Sequence, residues 1–246
     1  TGVTRSTHTA LALDIGTNTE VSLVKDNRAS CVSCASGPAF EGAHIKFGMR
    51  AAPGAIERLE IDGDAVRYQT IGGAAPVGIC GSGILDALSQ LYRNGIVNSR
   101  GRMGEYTRVR DADGQREFVL VNEEERGGQP AITITQGDVR ELQLAKGAIR
   151  TGIDVLLRSA GCAEAELDEV VIAGAFGSYI DIDSATTIGM LPPLSADRFR
   201  QGGNAAGTGA RLALISSEKR KEAISIAGGV RYVELSTYPD FMKAFV

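Results

Sequence analysis

The stretch ALALDIGTNTEVSLV, Ala10 to Val24, constrains this chain more than any other. An apolar run ends at Asp14, turns through Gly16, Thr17, Asn18 and Thr19, and re-emerges as a second apolar-alternating run from Val21. This pattern predicts a β-hairpin whose turn is small and rich in hydroxyls. Gly16 permits positive φ and close approach of another group, while Thr17 and Thr19 set hydroxyls beside exposed backbone N–H groups. That chemistry suits phosphate oxygens. Asp14, at the end of a buried strand, suits a hydrated Mg2+ ion or the orientation of a water. The same residues equally make an ordinary hairpin turn with a structural aspartate, so the neighbouring segments decide between the two.

With 246 residues the chain can bury one large core or two small ones. Its 26 basic and 30 acidic residues leave a net charge of −4, which implies no broad attraction to nucleic acid or to an anionic membrane. Apolar stretches are too short to span a bilayer and no charged-then-apolar leader precedes a cleavage site, so a soluble, cytoplasmic protein is expected. The first residue is Thr1 and the first strand begins almost at once, as in a fragment or a processed chain. Of the four cysteines, Cys31 and Cys34 have CxxC spacing but lie in a strand-like segment without a second such pair. Reduced, partly buried thiols are the expectation, with a metal or cluster site as the alternative.

A third apolar run, Ala29–Ala35, completes a predicted β-meander. A Gly- and Pro-rich segment leads into a hairpin, Ile56–Ile61 and Ala65–Ile71, turned at Asp62, Gly63 and Asp64. The turn Gly78–Gly83 opens a helix over Ile84–Tyr92 that Gly95 stops. Residues 99–130 are polar apart from one short strand, Glu117–Val121, and read as exposed. After a strand at Ala131–Thr135, Thr135 and Asp138 form a capping box for a helix from about Asp138 to Ala160, ended by Gly161. Its apolar stripe is Val139, Leu142, Ala145, Ile149, Ile153, Leu156 and Leu157. Residues 168–174 read as a strand buried on both faces. Helices at Ala205–Leu214 and Ser217–Ala227, a strand at Val230–Leu235 and a closing helix at Tyr238–Phe245 complete the chain. The run Glu218–Glu222 is a solvated helix face, and His8 and His44 lack partners at metal spacing. Ser82 lacks the flanks of a hydrolase nucleophile.

Antiparallel strands followed by helical crossovers to further strands require an α/β mixed sheet flanked by helices. The topology is similar to the ribonuclease-H-like half-domain of actin-like ATPases. A core of residues 1–35 and 136–246 is expected, with a smaller α+β subdomain and connecting helix inserted at 36–135. In open α/β sheets ligands bind at the carboxyl ends of strands. Asp14–Thr19 and Gly174–Ser178 are placed to meet there, the first at phosphate and the second at base and ribose.

DIGTNT from Asp14 resembles a phosphate motif of the acetate kinase, sugar kinase, heat-shock chaperone and actin superfamily, and VIAGAFGS from Val171 resembles its adenosine motif, with Ala175 where glycine is more usual. Gly207-Thr208-Gly209-Ala210 is compatible with the later connecting motif. A closer likeness covers nearly the whole chain. LALDIGTNTEV, GPAFEGAHIKFGMRAAPGAIE, PVGICGSGILDAL, ITQGDVRELQLAKGAI and AGAFGSYIDIDSATTIGMLP resemble, in order, the C-terminal region of the reductive activators of corrinoid proteins.

That resemblance implies an actin-like domain using ATP and Mg2+ to drive electron transfer from an iron–sulfur cluster, held on a separate N-terminal domain, to the Co(II) corrinoid of a methyltransferase system. The implied partners are that corrinoid protein, the upstream domains and a second copy of the chain. Here the ferredoxin cysteine pattern and an earlier phosphate turn are both absent, so Asp14–Thr19 resembles the second of two phosphate motifs. Asp14 is the candidate catalytic and metal-binding residue, and Gly16, Thr17, Asn18 and Thr19 are the phosphate contacts. Gly174, Ala175 and Gly177 admit the adenosine or simply make a tight turn. Lys146 is placed on a helix that supplies polar groups to ribose or adenine in related ATPases, though a helix lysine is commonly only solvated. Glu41 is either a second acid near the phosphates or a cap for a loop N–H. A small-molecule kinase of the same superfamily and a non-enzymatic docking or dimerisation module are the competing functions.

Overall fold

The computed structural model describes residues 2–5, 8–177 and 179–238. In chain order the first elements are strands β1 (Ala10–Asp14), β2 (Thr19–Lys25) and β3 (Arg28–Cys34). Strands β4 (Ala55–Asp62), β5 (Ala65–Thr70) and β6 (Gly78–Ile79) precede helix α1 (Gly81–Arg93). Strands β7 (Val109–Ala112), β8 (Gln115–Val121) and β9 (Ile132–Thr135) lead into the long helix α2 (Gln136–Ser159). Then come β10 (Glu169–Ala173), α3 (Gly174–Gly177), α4 (Ile182–Thr187) and β11 (Phe199–Gly203), followed by α5 (Ala205–Ile215), α6 (Ser217–Gly229) and β12 (Arg231–Tyr232). The expected closing helix lies outside the described residues, and no described helix is long and apolar enough to cross a membrane.

These elements form two compact units. The first comprises Thr1–Ser36, Gly147–Tyr179 and Pro192–Val246; the second comprises Gly37–Lys146 and Ile180–Leu191. Helix α2 therefore contributes its first half to the second unit and its remainder to the first.

The first unit is built on a mixed sheet in the order β11-β10-β1-β2-β3-β12. The meander β1-β2-β3 is antiparallel, as its alternating pattern predicts, while β10 adds to β1 and β11 to β10 in parallel. Leu11, Leu13, Val21 and Leu23 pack into the core from the meander. Val170, Val171 and Ile172 are all fully buried, as a strand covered on both faces requires. The stripe predicted along α2 is buried at every position from Val139 to Leu157. Gly152 sits within that unbroken helix for a steric reason, because a Cβ there would stand 2.2 Å from Cys34 Sγ. Strand pleating turns Cys31 and Cys34 to opposite faces. Burial, with the charge of Glu20 adding to it, pushes the Cys34 thiol up to about 12. Helices α5 and α6 bury none of their residues, and Leu214, Ile215 and Ile224 face outward.

The second unit holds two further sheets, β5-β4-β6 and β7-β8-β9, with α1 against β4. Helix α1 begins earlier than expected because Gly83 packs its first turn against β4, where a Cβ would meet Ile56 O at 2.1 Å. The capping box of α2 forms as predicted: Asp138 N–H donates to Thr135 Oγ1 at 3.0 Å and Thr135 N–H donates to Asp138 Oδ2 at 2.8 Å. The segment 99–130 corrects the sequence reading. The strand expected at Glu117–Val121 forms as β8, but it gains an unexpected partner in β7, and Met103, Glu117, Phe118 and Leu120 are all buried rather than exposed. Glu117 accepts from Lys46 Nζ (2.7 Å), Arg110 Nε (2.9 Å) and Thr133 Oγ1 (3.0 Å). Burial alone would raise its pKa, but these bonds outweigh it and hold the carboxyl below its usual range.

Candidate functional site

The site grows from the carboxyl ends of two neighbouring parallel strands. In the ladder Asp14 faces Ala173, and Ile15 N–H extends the pairing by one bond to Ala173 O at 2.9 Å. Both strands then break into glycine-containing turns on the same side of the sheet. Gly174 has φ +97°, and a Cβ at that position would lie 2.4 Å from Ile15 O and 2.7 Å from Asp14 Oδ1. Only glycine satisfies both the backbone conformation and the contact. The bare Cα lets the second turn lie directly against the half-buried Asp14 carboxylate, an oxygen donor of the kind Mg2+ accepts. Gly177 has a packing role, since its Cβ would meet Ile172 Cγ2 at 2.9 Å.

At the tip of the first turn Thr17 and Asn18 are exposed and Gly16 is half-buried. Two expectations change here. Gly16 does not have positive φ; its value is space, the nearest atom to a Cβ being Asn18 O at 3.4 Å. Thr19 is fully buried, and its hydroxyl lies 2.8 Å from Ser36 Oγ rather than at the tip. Ser36 in turn donates to Gly16 O at 3.0 Å, and a carbonyl can only accept, so the chain of donors runs from Thr19 through Ser36 to the turn. Ser36 is the positioning residue that the sequence reading passed over. Its signal is the pairing of Thr19 with Cys34, which carries the end of β3 beneath the turn.

The remaining candidates stand in the second unit. Glu41 is exposed on a short 3-10 turn, Ala39–Glu41. Lys146 lines a cavity of about 220 Å3 with Tyr92, Asn98, Gln143 and Ile188. Thus Asp14, Gly16, Thr17, Asn18, Gly174 and Gly177 come together in one unit, while Glu41 and Lys146 belong to the other. The side chains of Ala175 and Ser178 lie outside what is described. His8 and His44 are exposed, and among the described residues no cluster of His, Cys, Asp or Glu has the makings of a metal centre.

A mixed sheet with an acidic turn after its first strand and a second glycine turn beside it on a parallel neighbour defines an actin-like ASKHA domain. Residues 8–246 match the family described as the C-terminal domain of RACo, the ASKHA domain, and the chain belongs to that family. It is 39% identical over 255 residues to the corrinoid activation enzyme RamQ of Eubacterium limosum, covering 100% of this chain and 43% of that protein. It is 28% identical over 240 residues to the [Co(II) methylated amine-specific corrinoid protein] reductase of Methanosarcina barkeri, covering 89% of this chain and 41% of that one. Among solved structures, a reductive activator for a corrinoid, iron–sulfur protein superposes with a TM-score of 0.91 at 41% identity. That match covers 99% of this chain and 40% of the other. The chain thus spans about two fifths of the length of the relatives it matches.

Proposed function

We propose that this domain binds ATP with Mg2+ and couples its hydrolysis to a conformational change in a protein that reductively activates a corrinoid protein. The observation that carries the reading is the close approach of Gly174 to Asp14, which brings a half-buried carboxylate and a glycine turn together where two parallel strands end. Asp14 would hold the Mg2+, whose positive charge would offset phosphate charge. Gly16, Thr17 and Asn18 offer N–H and hydroxyl groups to phosphate oxygens, and the turn from Gly174 to Gly177 admits the adenosine. The electron donor is an iron–sulfur cluster on a different part of the full protein, and the acceptor is the Co(II) corrinoid of a cytoplasmic methyltransferase system. The relatives' names favour this reading over a small-molecule kinase. Calorimetry of the chain with ATP and Mg2+ tests it: binding is expected in the native chain and is lost in Asp14→Ala. Equal binding by Asp14→Ala, or none by the native chain, refutes it.

A further inference from the structure

Four arginines of the second unit line one cavity of about 540 Å3: Arg100, Arg102, Arg116 and Arg140. No carboxylate lines it, and Met103 is its only apolar side chain. In a chain of net charge −4 this is a local excess of one sign, and the four guanidinium groups repel one another until an anion joins them.

The cavity is built rather than incidental. Asn98 Oδ1 accepts from the N–H groups of Arg100 (2.9 Å) and Arg102 (3.0 Å), while Asn98 N–H donates to Arg102 O at 3.0 Å. Gln136, the first residue of α2, clamps the loop from the other side. Its Nε2 donates to Gly101 O at 2.7 Å and its Oε1 accepts from Met103 N–H at 2.8 Å. Arg116 is anchored on Met103 O at 3.1 Å, with only the exposed Glu105 nearby at 3.7 Å. Among the described residues no side-chain partner engages Arg100, Arg102 or Arg140. Arg140 has no acidic residue three or four positions away along the 24-residue helix α2, where Gln136, Gly137, Gln143 and Leu144 stand. Helix stability therefore gives no reason for it to be there.

We propose that this cavity binds an oligophosphate chain at a site separate from the Asp14 turn. Guanidinium forks match phosphate oxygens two at a time, and one phosphoryl group is too few for four arginines. With no aromatic side chain in its lining and a fully buried Met103 as the one apolar member, the cavity has nothing to hold a hydrophobic body or stack a base. Calorimetric titration of the chain with sodium tripolyphosphate, at low and at physiological salt, tests the proposal. One site is expected, weaker at higher salt, with affinity reduced about tenfold in Arg100→Gln and in Arg140→Gln. Binding is expected to disappear in the double variant, whose circular dichroism stays native because both residues are exposed. Asp14→Ala leaves the tripolyphosphate affinity unchanged. Absence of binding, binding indifferent to the arginine variants, or loss of it in Asp14→Ala each overturns the proposal. Failure of ATP itself to bind strikes only the function proposed above.

Discussion

Gly174→Ala probes the contact on which the candidate site depends. An alanine held at φ +97° is strained by roughly 1–2 kcal/mol. Its Cβ would also stand 2.4 Å from Ile15 O, whereas carbon and oxygen rest at about 3.3 Å. Neither side can yield cheaply, because Ile15 is buried and its N–H is bonded to Ala173 O at 2.9 Å. Moving the end of β1 far enough to relieve the overlap breaks that bond, which is worth about 1 kcal/mol. Together these effects destabilise the first unit by about 3 kcal/mol, or roughly 6–12 °C in Tm for a chain of this size. Gly161→Ala is the internal control. It lies in the same unit with φ +58° and nothing within 4 Å of its Cβ, so only the backbone strain of about 1 kcal/mol applies. Urea and thermal unfolding of the two variants, with ATP affinity measured alongside, separate the effects. If Gly174→Ala unfolds no more readily than Gly161→Ala, the two turns do not pack as described and the argument for the site fails.

Two further outcomes test the packing that supports the units. Glu117→Gln leaves Lys46 and Arg110 facing a neutral group at a buried position and is expected to destabilise by about 3 kcal/mol at neutral pH. Because the folded-state pKa of Glu117 is lowered, its contribution is complete above the unfolded pKa and is lost as pH falls through the folded one. The urea midpoints of wild type and variant should therefore stay apart above the ordinary carboxylate range and converge only as pH falls below it, and a constant gap would contradict the ion network. Gly152→Ala raises helix propensity by about 1 kcal/mol yet is expected to lower stability, since the added carbon meets Cys34 Sγ at 2.2 Å. Cys34→Ala in the same chain should restore the loss, and a single Gly152→Ala variant more stable than wild type would disprove the contact. With its thiol pushed up to about 12, Cys34 is also expected to resist alkylation at mildly alkaline pH until the chain unfolds.

What the sequence made legible was local. Period-two alternation announced β1 and β2, and a 3.6-residue stripe announced α2 along with its cap. Strand β8 was legible at Glu117–Val121, but its partner β7 and its burial were not, because Glu117 reads as a polar residue and only the three partners converging on it offset the cost of burying it. Thr19 was misjudged for a related reason. Nothing within the turn announces that Ser36, arriving from the end of β3, takes its hydroxyl. Strand β11, whose residues are FRQGG, carries no apolar alternation and exists because β10 offers it a parallel edge.

The parallel register also changes what Gly174 means. In the sequence it is a glycine that ends an apolar run, and bending alone would account for it. Turns of that kind accept asparagine, which tolerates positive φ. Once Asp14 is known to face Ala173, the absent Cβ acquires a packing purpose. Any side chain at 174 would bring its Cβ to 2.4 Å from Ile15 O and 2.7 Å from Asp14 Oδ1. A glycine required by conformation alone would be replaceable by asparagine with a small loss, whereas one pressed against the end of the neighbouring strand is replaceable by nothing. The site is thus defined as much by the atom missing at Gly174 as by the carboxylate at Asp14.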